Sequence, residues 1–337
     1  MTGHSLAIVG ATGAVGLKLL QIIDERVKDV KSLRLFASSR SAGQKLNFRG
    51  SEITVEDVAK SSFKGVDVAF FSAGTEASLE YCPKAVSEGA IVIDNTNAHR
   101  MRDDVPLIVP EANFHAIKNH HGLIANPNCS TIQMIVALAP IHRANPIKRI
   151  VVTTYQSVSG TGLEAIEILK KQTSAILDGQ EPPQGVYPHT IGFNLIPQID
   201  VFLPESGLYR EEEKMVRETC KILESDIKVC PTTVRVPVMY AHSEAVNIEL
   251  TNKMTLDEVR NILRKAEDVV LLDDPANSVY PTPLECQNKD EVFVGRLRND
   301  PTIPVGFNMW VVADNLRRGA ATNAVKIYTE MVKHGLI

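Results

Sequence analysis

The chain has 337 residues and lacks any apolar run close to the roughly 20 residues that cross a bilayer. Its first ten residues lack the charged start, apolar stretch and cleavage site of a signal peptide. It also lacks an excess of positive charge, because the formal net charge is −4. This balance disfavours a nucleic-acid partner bound through bulk charge. We therefore expect a cytoplasmic protein with neither a membrane nor a nucleic acid as partner.

Cysteine is scarce and scattered. The number is odd and no two form a C-x-x-C pair, the five positions being Cys82, Cys129, Cys220, Cys230 and Cys286. This usage favours reduced thiols over a disulfide framework or a zinc site, so we expect no metal. A free cysteine is by default a buried structural residue.

The first third of the chain alternates between strand and helix patterns. Short apolar runs predict buried strands, of which the last two are weaker, at 5–10, 33–37, 66–72, 90–94, 107–110 and 123–126. Apolar residues at helical spacing predict helices at 13–25 and 76–88. This order predicts the α/β class, with a Rossmann-type doubly wound parallel sheet.

The pattern changes near residue 147. Longer, alternating strands at 150–157, 232–238, 243–251 and 309–313 predict an α+β domain with an antiparallel or mixed sheet. Helices are predicted at 161–178, 209–224 and 316–333, and a Pro- and Gly-rich irregular excursion at 179–204. We expect one domain at 1–130, joined by a C-terminal helix at about 315–337, and a second at 131–314.

A glycine-rich turn follows the first predicted strand and opens the first helix. Its spacing is G-x-x-G-x-x-G, a variant of the dinucleotide fingerprint in which the backbone approaches a pyrophosphate at a helix N-terminus. The candidate contacts are Gly10, Thr12, Gly13, Ala14, Val15 and Gly16. The alternative is a tight strand-to-helix turn with no ligand.

The end of the second strand bears on the choice between NAD and NADP. An acid normally binds the ribose 2′-hydroxyl there, but residues 37–43 contain no acid. They contain Arg40 and three serines, among them Ser41, which suit a 2′-phosphate. We therefore expect NADP as the cofactor. A polar surface loop is the alternative.

Cys129 stands in the most informative segment, Asn126-Pro-Asn-Cys-Ser-Thr131. A weak strand precedes it, and Ser130 and Thr131 are typical of a helix start. A cysteine at a helix N-terminus is stabilised as the thiolate, and the free N–H groups there can bind an oxyanion. A buried structural cysteine is the alternative.

A thiolate nucleophile needs an acid/base partner, and His242 is the best placed of the nine histidines. It lies at a turn position between two predicted strands. Arg235 lies seven positions earlier. On an unbroken strand the two side chains would point to opposite faces, whereas a bend at Pro237 would change this.

Several motifs together make the chain resemble the aspartate-β-semialdehyde dehydrogenase family, from about Ala7 to the C-terminus. They are the glycine-rich turn, Asn126-Pro-Asn-Cys129, Tyr155-Gln156-Ser-Val-Ser-Gly160, Phe193-Asn-Leu-Ile-Pro197, Arg235-Val-Pro-Val and His242-Ser-Glu. The chain departs from the family at Asn97 and His99, just before Arg100.

The resemblance implies a role for each matching residue. Cys129 becomes the acyl-thioester nucleophile, His242 the acid/base, and Gln156 a residue that orients the substrate. The implied ligands of the substrate and phosphate are Arg235 for the α-carboxylate, Glu211 for the ammonium, and Lys214 and Arg100, near Asn128, for the phosphate. The implied late-chain cofactor contacts are Ser159, Gly160 and Asn315. From the residues alone, 210–214 would be a solvated helix face.

The implied activity is NADP-dependent interconversion of L-aspartate 4-semialdehyde and L-aspartyl 4-phosphate. It serves lysine, threonine, methionine and diaminopimelate synthesis, with phosphate as co-substrate and a homodimer formed through the second domain. N-acetyl-γ-glutamyl-phosphate reductase is the nearest rival, although its acetylated substrate needs no acid such as Glu211. A Cys-His hydrolase would leave the glycine-rich turn and Arg40 unexplained, and a non-catalytic NADP sensor would not need Cys129.

Overall fold

The computed structural model describes residues 3–337, which divide into two compact units. The first contains the residues up to Asn128 together with Ala320–Ile337, and the second is Cys129–Gly319. The boundaries expected from the sequence were 130 and about 315. None of the helices between residues 3 and 337 is long and apolar enough to span a membrane.

The elements of the first unit alternate between strand and helix along the chain. In order they are β1 (His4–Val9), α1 (Ala14–Arg26), β2 (Val30–Ala37), β3 (Lys45–Phe48), β4 (Ser51–Asp57), β5 (Val68–Phe71), α2 (Thr75–Ser87), β6 (Ile91–Asp94), α3 (Pro110–Asn113) and β7 (Leu123–Ala125).

The second unit carries the longer strands. Its elements are α4 (Cys129–Ala144), β8 (Ile147–Gln156), α5 (Leu163–Leu177), β9 (Phe202–Leu203), β10 (Leu208–Tyr209), α6 (Arg210–Leu223), β11 (Lys228–Arg235), β12 (His242–Leu250), α7 (Leu256–Lys265), β13 (Val269–Leu271), α8 (Pro283–Cys286), β14 (Val292–Asn299) and β15 (Gly306–Ala313). The chain then re-enters the first unit with α9 (Thr322–Lys333).

The first unit is built on a seven-stranded sheet of order β3-β4-β2-β1-β5-β6-β7, parallel except for β3. The predicted doubly wound sheet is thereby confirmed. α9 packs against α1, and its buried Tyr328 meets the ring of Phe70 edge-on at 6.1 Å. The order reverses at β1, whose neighbours are β2 and β5, so the carboxyl ends of these strands border a crevice suited to a ligand.

Two local predictions need correction. The segment 107–110 is not a strand: Leu107 forms only an isolated bridge to Ala125, and the prolines at 106 and 110 deprive the segment of ladder donors. The hairpin of β3 and β4 was missed. Its turn residues, Arg49 and Gly50, both have positive φ, as a two-residue hairpin turn requires, but they are not the usual Asn-Gly pair.

The second unit contains a six-stranded sheet of order β11-β8-β12-β15-β14-β13. Strand β8 pairs in parallel with β11 and antiparallel with β12, so the predicted mixed sheet is confirmed. Helices α4, α6 and α7 pack on this sheet. Because β8 separates β11 from β12, the two strands that carry Arg235 and His242 are not one continuous strand.

Two glycines shape the turn between β1 and α1. Gly10 has a φ of 86°, a conformation that favours glycine. At Gly16, a Cβ would lie 2.1 Å from the carbonyl oxygen of Gly10. The first turn of α1 therefore packs directly on the end of β1, and only glycine allows that approach.

We expect Gly16→Ala to destabilise the protein by about 1–3 kcal/mol, since the added methyl group collides with fixed backbone. Gly13→Ala is the matched control, because its Cβ would lie 3.4 Å from the same oxygen. Chemical denaturation of both variants measures the difference. Equal stability of the two would contradict the close approach at Gly16.

Candidate active site

The first unit has a cleft of about 720 Å³ at the carboxyl ends of β1, β2 and β5. The predicted residues Gly10, Thr12 and Gly13 line it. No side chain among residues 3–337 caps α1 at Gly13, so the first turn of the helix keeps backbone donors for an anion. Ala14, Val15 and Gly16 form that first turn and do not line the cleft.

One wall of the cleft is the segment after β2, with the predicted Arg40 and Ser41. Arg40 is exposed and makes no ion pair within residues 3–337, so its guanidinium is available to a ligand. Asp57 also lines the cleft and was missed by the sequence analysis, since it comes from a different strand. It accepts a hydrogen bond from the Ala59 N–H at 3.2 Å and pairs with Lys60 at 3.6 Å.

Cys129 is the first residue of α4, as predicted from the sequence around it. All ten residues from Ser130 to Ala139 are buried, so α4 is a core helix, whereas Cys129 remains partly exposed. Gly319 packs against it, and a Cβ there would lie 2.9 Å from the Cys129 Cβ. Cys286, by contrast, is a buried structural thiol, and burial raises its pKa to about 12.

Three predicted residues meet at one edge of the second sheet. Gln156 ends β8, and Arg235 ends β11 in parallel register with it. His242 begins β12, which runs antiparallel to β8, so it returns to the same edge. The opposite-face arrangement of an unbroken strand therefore does not apply to Arg235 and His242, because the chain leaves the sheet between them.

Ser157, which the sequence analysis did not single out, joins two of these side chains. Its carbonyl accepts a hydrogen bond from Arg235 Nη1 at 2.7 Å, and its N–H donates to His242 Nδ1 at 3.0 Å. Since Nδ1 accepts from a backbone N–H, the neutral imidazole carries its proton on Nε2. Nε2 is buried and has no hydrogen-bond partner among residues 3–337.

His242 is fully buried beside a cation. Burial lowers the pKa of its imidazole well below 6.5, and the positive charge of Arg235 lowers it further. The ring is therefore neutral near pH 7 and presents an Nε2–H donor.

Asn315 secures this arrangement through one atom. Its Oδ1 accepts hydrogen bonds from Ser157 Oγ at 3.1 Å, Ser159 Oγ at 3.0 Å and the Ala241 N–H at 3.1 Å. Gly160 leaves the nearby space open, since a Cβ there would lie 3.1 Å from Arg235 Nη1 and 3.3 Å from His242 Nε2.

A second network starts at Gln156. Its Nε2 donates to Glu211 Oε1 at 3.1 Å, and Lys214 Nζ pairs with Glu211 Oε2 at 3.2 Å and with Asp200 at 2.8 Å. Glu211 is only 4% exposed, so the solvated-face interpretation of 210–214 is wrong for this residue. Asp200 could not be found from sequence, because it comes from the irregular excursion.

Gln133 links α4 to the start of β12. It lies one turn after Cys129, and its Nε2 donates to the His242 carbonyl at 3.5 Å. Glu244 lies beside it, fully buried, with neither carboxylate oxygen hydrogen-bonded within residues 3–337. Burial raises the pKa of Glu244 well above 4.5; the charge of Glu211 adds to this rise, and Gln133 opposes it.

The other predicted ligands, Arg100 and Asn128, belong to the first unit. Both are buried, and Arg100 Nη2 donates to the Asn95 carbonyl at 2.8 Å. Its chain neighbour His99 approaches Cys82 and Asp94 closely enough to suggest a metal site, with ligand atoms within 4.8 Å. However, His99 Nε2 lies 3.3 Å from the Ser78 carbonyl and must donate to it, so we assign no metal there.

A cleft at a glycine-rich turn in one unit and a cysteine at a helix start in the other are the features that an oxidoreductase acting through a thiol would need. Residues 5–120 match the family described as semialdehyde dehydrogenase, NAD binding domain, and residues 138–318 match semialdehyde dehydrogenase, dimerisation domain. The class is thus that of the semialdehyde dehydrogenases, with a nicotinamide cofactor.

Similarity to individual proteins shows which family within this class the chain belongs to. The chain is 51% identical to the aspartate-semialdehyde dehydrogenase of Aquifex aeolicus, with 99% of this chain and 100% of the relative covered. It is 51% identical to that of Legionella pneumophila, with 97% and 95% covered. The crystal structure of aspartate semialdehyde dehydrogenase II from Vibrio cholerae complexed with ASA matches with a TM-score of 0.96 and 45% identity, over 99% of both chains. The chain belongs to the aspartate-semialdehyde dehydrogenase family.

The buried Glu244 yields a prediction about stability. Because its folded-state pKa is raised, the folded protein binds the proton more tightly than the unfolded chain, and stability falls as pH rises above about 4.5. Glu244→Gln has no carboxylate to ionise, so its stability should not fall in this way. The free energy of unfolding of the variant, minus that of wild type, should therefore be larger at about pH 8 than at about pH 5. Urea denaturation of wild type and variant at about pH 5 and about pH 8 measures this difference.

Glu249→Gln is the control, since Glu249 lies on the same strand and is partly exposed. It should shift stability equally at both pH values. The same pH-independent behaviour in Glu244→Gln would show that Glu244 ionises in the folded protein as readily as in the unfolded chain.

Proposed function

We propose that this protein interconverts L-aspartate 4-semialdehyde and L-aspartyl 4-phosphate with NADP and inorganic phosphate, through a thioester on Cys129. The observation that carries the proposal is that Cys129 starts α4, while Arg235 and His242 lie together at one edge of the sheet on which α4 packs. Gln133 connects the two, because it follows Cys129 by one turn and contacts His242. The named relatives favour this substrate over the N-acetylated one and over a hydrolase function.

The charges in the second unit suit this substrate. Arg235 offers a guanidinium fork for the α-carboxylate, and its Nε has no hydrogen-bond partner within residues 3–337. Glu211 supplies the carboxylate for the ammonium, and Gln156 and Lys214 hold it in place. For the phosphate we propose Arg100 and Lys214. Lys214 already faces two carboxylates, so an anion reaching it must compete with Asp200.

In the biosynthetic direction, the Cys129 thiolate attacks the acyl carbon of the acyl phosphate; a C–S bond forms, the C–O bond to phosphate breaks, and phosphate leaves. The chemistry that a bound nicotinamide supplies is hydride transfer to the thioester carbon. The resulting oxyanion collapses, the C–S bond breaks, and the aldehyde leaves with Cys129 again a thiolate. The N-terminus of α4 stabilises this thiolate.

For His242 we propose the donor role in this cycle. Its Nδ1 accepts the Ser157 N–H, so the neutral ring can donate only through Nε2. A donor there stabilises the oxyanion that forms on the acyl carbon. This donor role keeps the acid half of the acid/base role implied by the resemblance and omits the base half. A base would need a free lone pair on Nε2.

NADP is the proposed form of the cofactor. The exposed Arg40 with Ser38, Ser39 and Ser41 offers a charge and three hydroxyls at the end of β2, where an acid would favour NAD. The glycine-rich turn fits the pyrophosphate, since its backbone, free of side chains at Gly10 and Gly13, borders the cleft. Ser159, Gly160 and Asn315 are proposed as further contacts, as are Ala14, Val15 and Gly16 through the first turn of α1.

A homodimer in the cytoplasm is the proposed assembly. One face of the second sheet bears partly exposed residues, including Tyr155 and Trp310, whose rings lie 5.4 Å apart. This face continues across Ala245 of β12 and a groove lined by Tyr280 and Met309. The family's dimerisation domain covers these strands, which supports a second copy as the occupant.

The nucleophile is tested by following NADPH formation from aspartate semialdehyde, with and without phosphate. Wild type should reduce NADP only with phosphate, and Cys129→Ser should lose activity by about a thousandfold or more. Cys230→Ser is the control, because Cys230 is exposed on β11 and has no proposed role. Turnover by a folded enzyme that is indifferent to phosphate and to Cys129 would overturn the proposal.

Cofactor choice is tested at Arg40. Arg40→Ala should raise KM for NADPH by roughly tenfold or more, since one charged hydrogen-bond donor to the 2′-phosphate is lost, and should leave KM for NADH unchanged. Lys31→Ala removes an exposed cation near the other end of β2 and should change neither value. Equal effects of Arg40→Ala on both nucleotides would exclude 2′-phosphate recognition by this side chain.

A further inference from the structure

Apart from Asp200, the irregular excursion at 179–204 has no part in the function described so far, yet it is firmly attached to the second unit. Ile191 and Ile196 are buried in a cluster with Val158 and Leu169. Gln172 of α5 holds the backbone, since its Oε1 accepts from the Ile191 N–H at 2.9 Å and its Nε2 donates to the Pro183 carbonyl at 2.9 Å.

This excursion contacts Arg235 at two points. Ile196 forms an antiparallel bridge with it, in which the Ile196 N–H donates to the Arg235 carbonyl at 3.0 Å and the Arg235 N–H donates back at 2.8 Å. Tyr187 places its ring 5.9 Å from the Arg235 Cζ. The Tyr187 hydroxyl lies 2.8 Å from Thr161 Oγ1, so the ring is tethered at its far end.

Arg235 needs such support. It is 5% exposed, and its only hydrogen bond from the guanidinium within residues 3–337 is that of Nη1 to the Ser157 carbonyl at 2.7 Å. One hydrogen bond leaves the guanidinium plane free to turn about that contact. An aromatic face within about 6 Å attracts the cation and restricts this turning. The orientation of the fork toward a carboxylate depends on the plane being held.

We propose that Tyr187 is a positioning residue that holds the Arg235 guanidinium for the substrate's α-carboxylate, and so sets the enzyme's preference for aldehydes bearing that group. The inference rests on the proposed function, in which Arg235 binds the carboxylate. Tyr187 acts through Arg235 and does not itself touch the reacting atoms. Its loss therefore weakens recognition of the carboxylate and leaves the thioester chemistry of Cys129 intact.

The experiment compares two aldehydes with NADP and phosphate: aspartate semialdehyde and 3-aminopropanal, which is the same molecule without its α-carboxylate. Tyr187→Ala should raise KM for aspartate semialdehyde about tenfold with kcat nearly unchanged, and should leave kcat/KM for 3-aminopropanal unaltered. Tyr187→Phe keeps the ring and should stay within about twofold of wild type for both.

Leu195→Ala is the matched control, since Leu195 lies in the same excursion and is 59% exposed, and this variant should keep wild-type KM and kcat for both aldehydes. A fall for both aldehydes in Tyr187→Ala, or a fall in kcat without a rise in KM, would show a structural role and overturn the inference. If wild type turns over 3-aminopropanal too slowly to measure, the test is whether Tyr187→Ala raises KM for aspartate semialdehyde while kcat stays nearly unchanged. A folded wild type that does not oxidise aspartate semialdehyde would instead refute the proposed function.

Discussion

The site in the second unit depends on the two backbone groups of Ser157. The carbonyl holds a guanidinium and the N–H holds an imidazole, so one peptide segment fixes the separation and orientation of Arg235 and His242. Burial lowers the pKa of His242, and the charge of Arg235 lowers it further, so the histidine is neutral. The contacts of Ser157 thus set the geometry of the two side chains and the tautomer of His242. Ser157 can contact both side chains because it directly follows β8, which lies between the strand that carries Arg235 and the strand that carries His242.

Several buried polar side chains lie around Ser157. Each of them costs free energy unless it is hydrogen-bonded. Asn315 offsets that cost by accepting three hydrogen bonds on one oxygen. Neither carboxylate oxygen of Glu244 has a hydrogen-bond partner within residues 3–337, and burial raises its pKa well above 4.5. Arg235 Nε and His242 Nε2 also lack partners within the described chain. A substrate rich in oxygen acceptors would satisfy both donors.

Much of this protein could be anticipated wherever the signal was local. The helix start at Cys129 follows from residues that adjoin it, and the glycine-rich turn follows from the strand before it and the helix after it. Predictions failed where a distant segment intervened. The bridge of Leu107 to Ala125 is isolated because prolines flank the segment. Arg235 and His242 lie close together because β8 runs between their strands and both side chains bind Ser157 at its end. Asp200 and Tyr187 gave no signal, since each acts through a contact made far along the chain.

The amino-acid sequence alone was enough to predict the class of fold, the glycine-rich turn and the position of Cys129 at a helix start, because strand periodicity, glycine conformation and helix capping are properties of neighbouring residues. Motif likeness added the family and the residue types of the site. Only the tertiary structure decided how those residues are paired: that Glu211 is buried against Gln156 and Lys214, and that His242 presents Nε2–H. Burial and protonation depend on what packs around a group from every side, and that neighbourhood is assembled only when the strands take their places in the sheet.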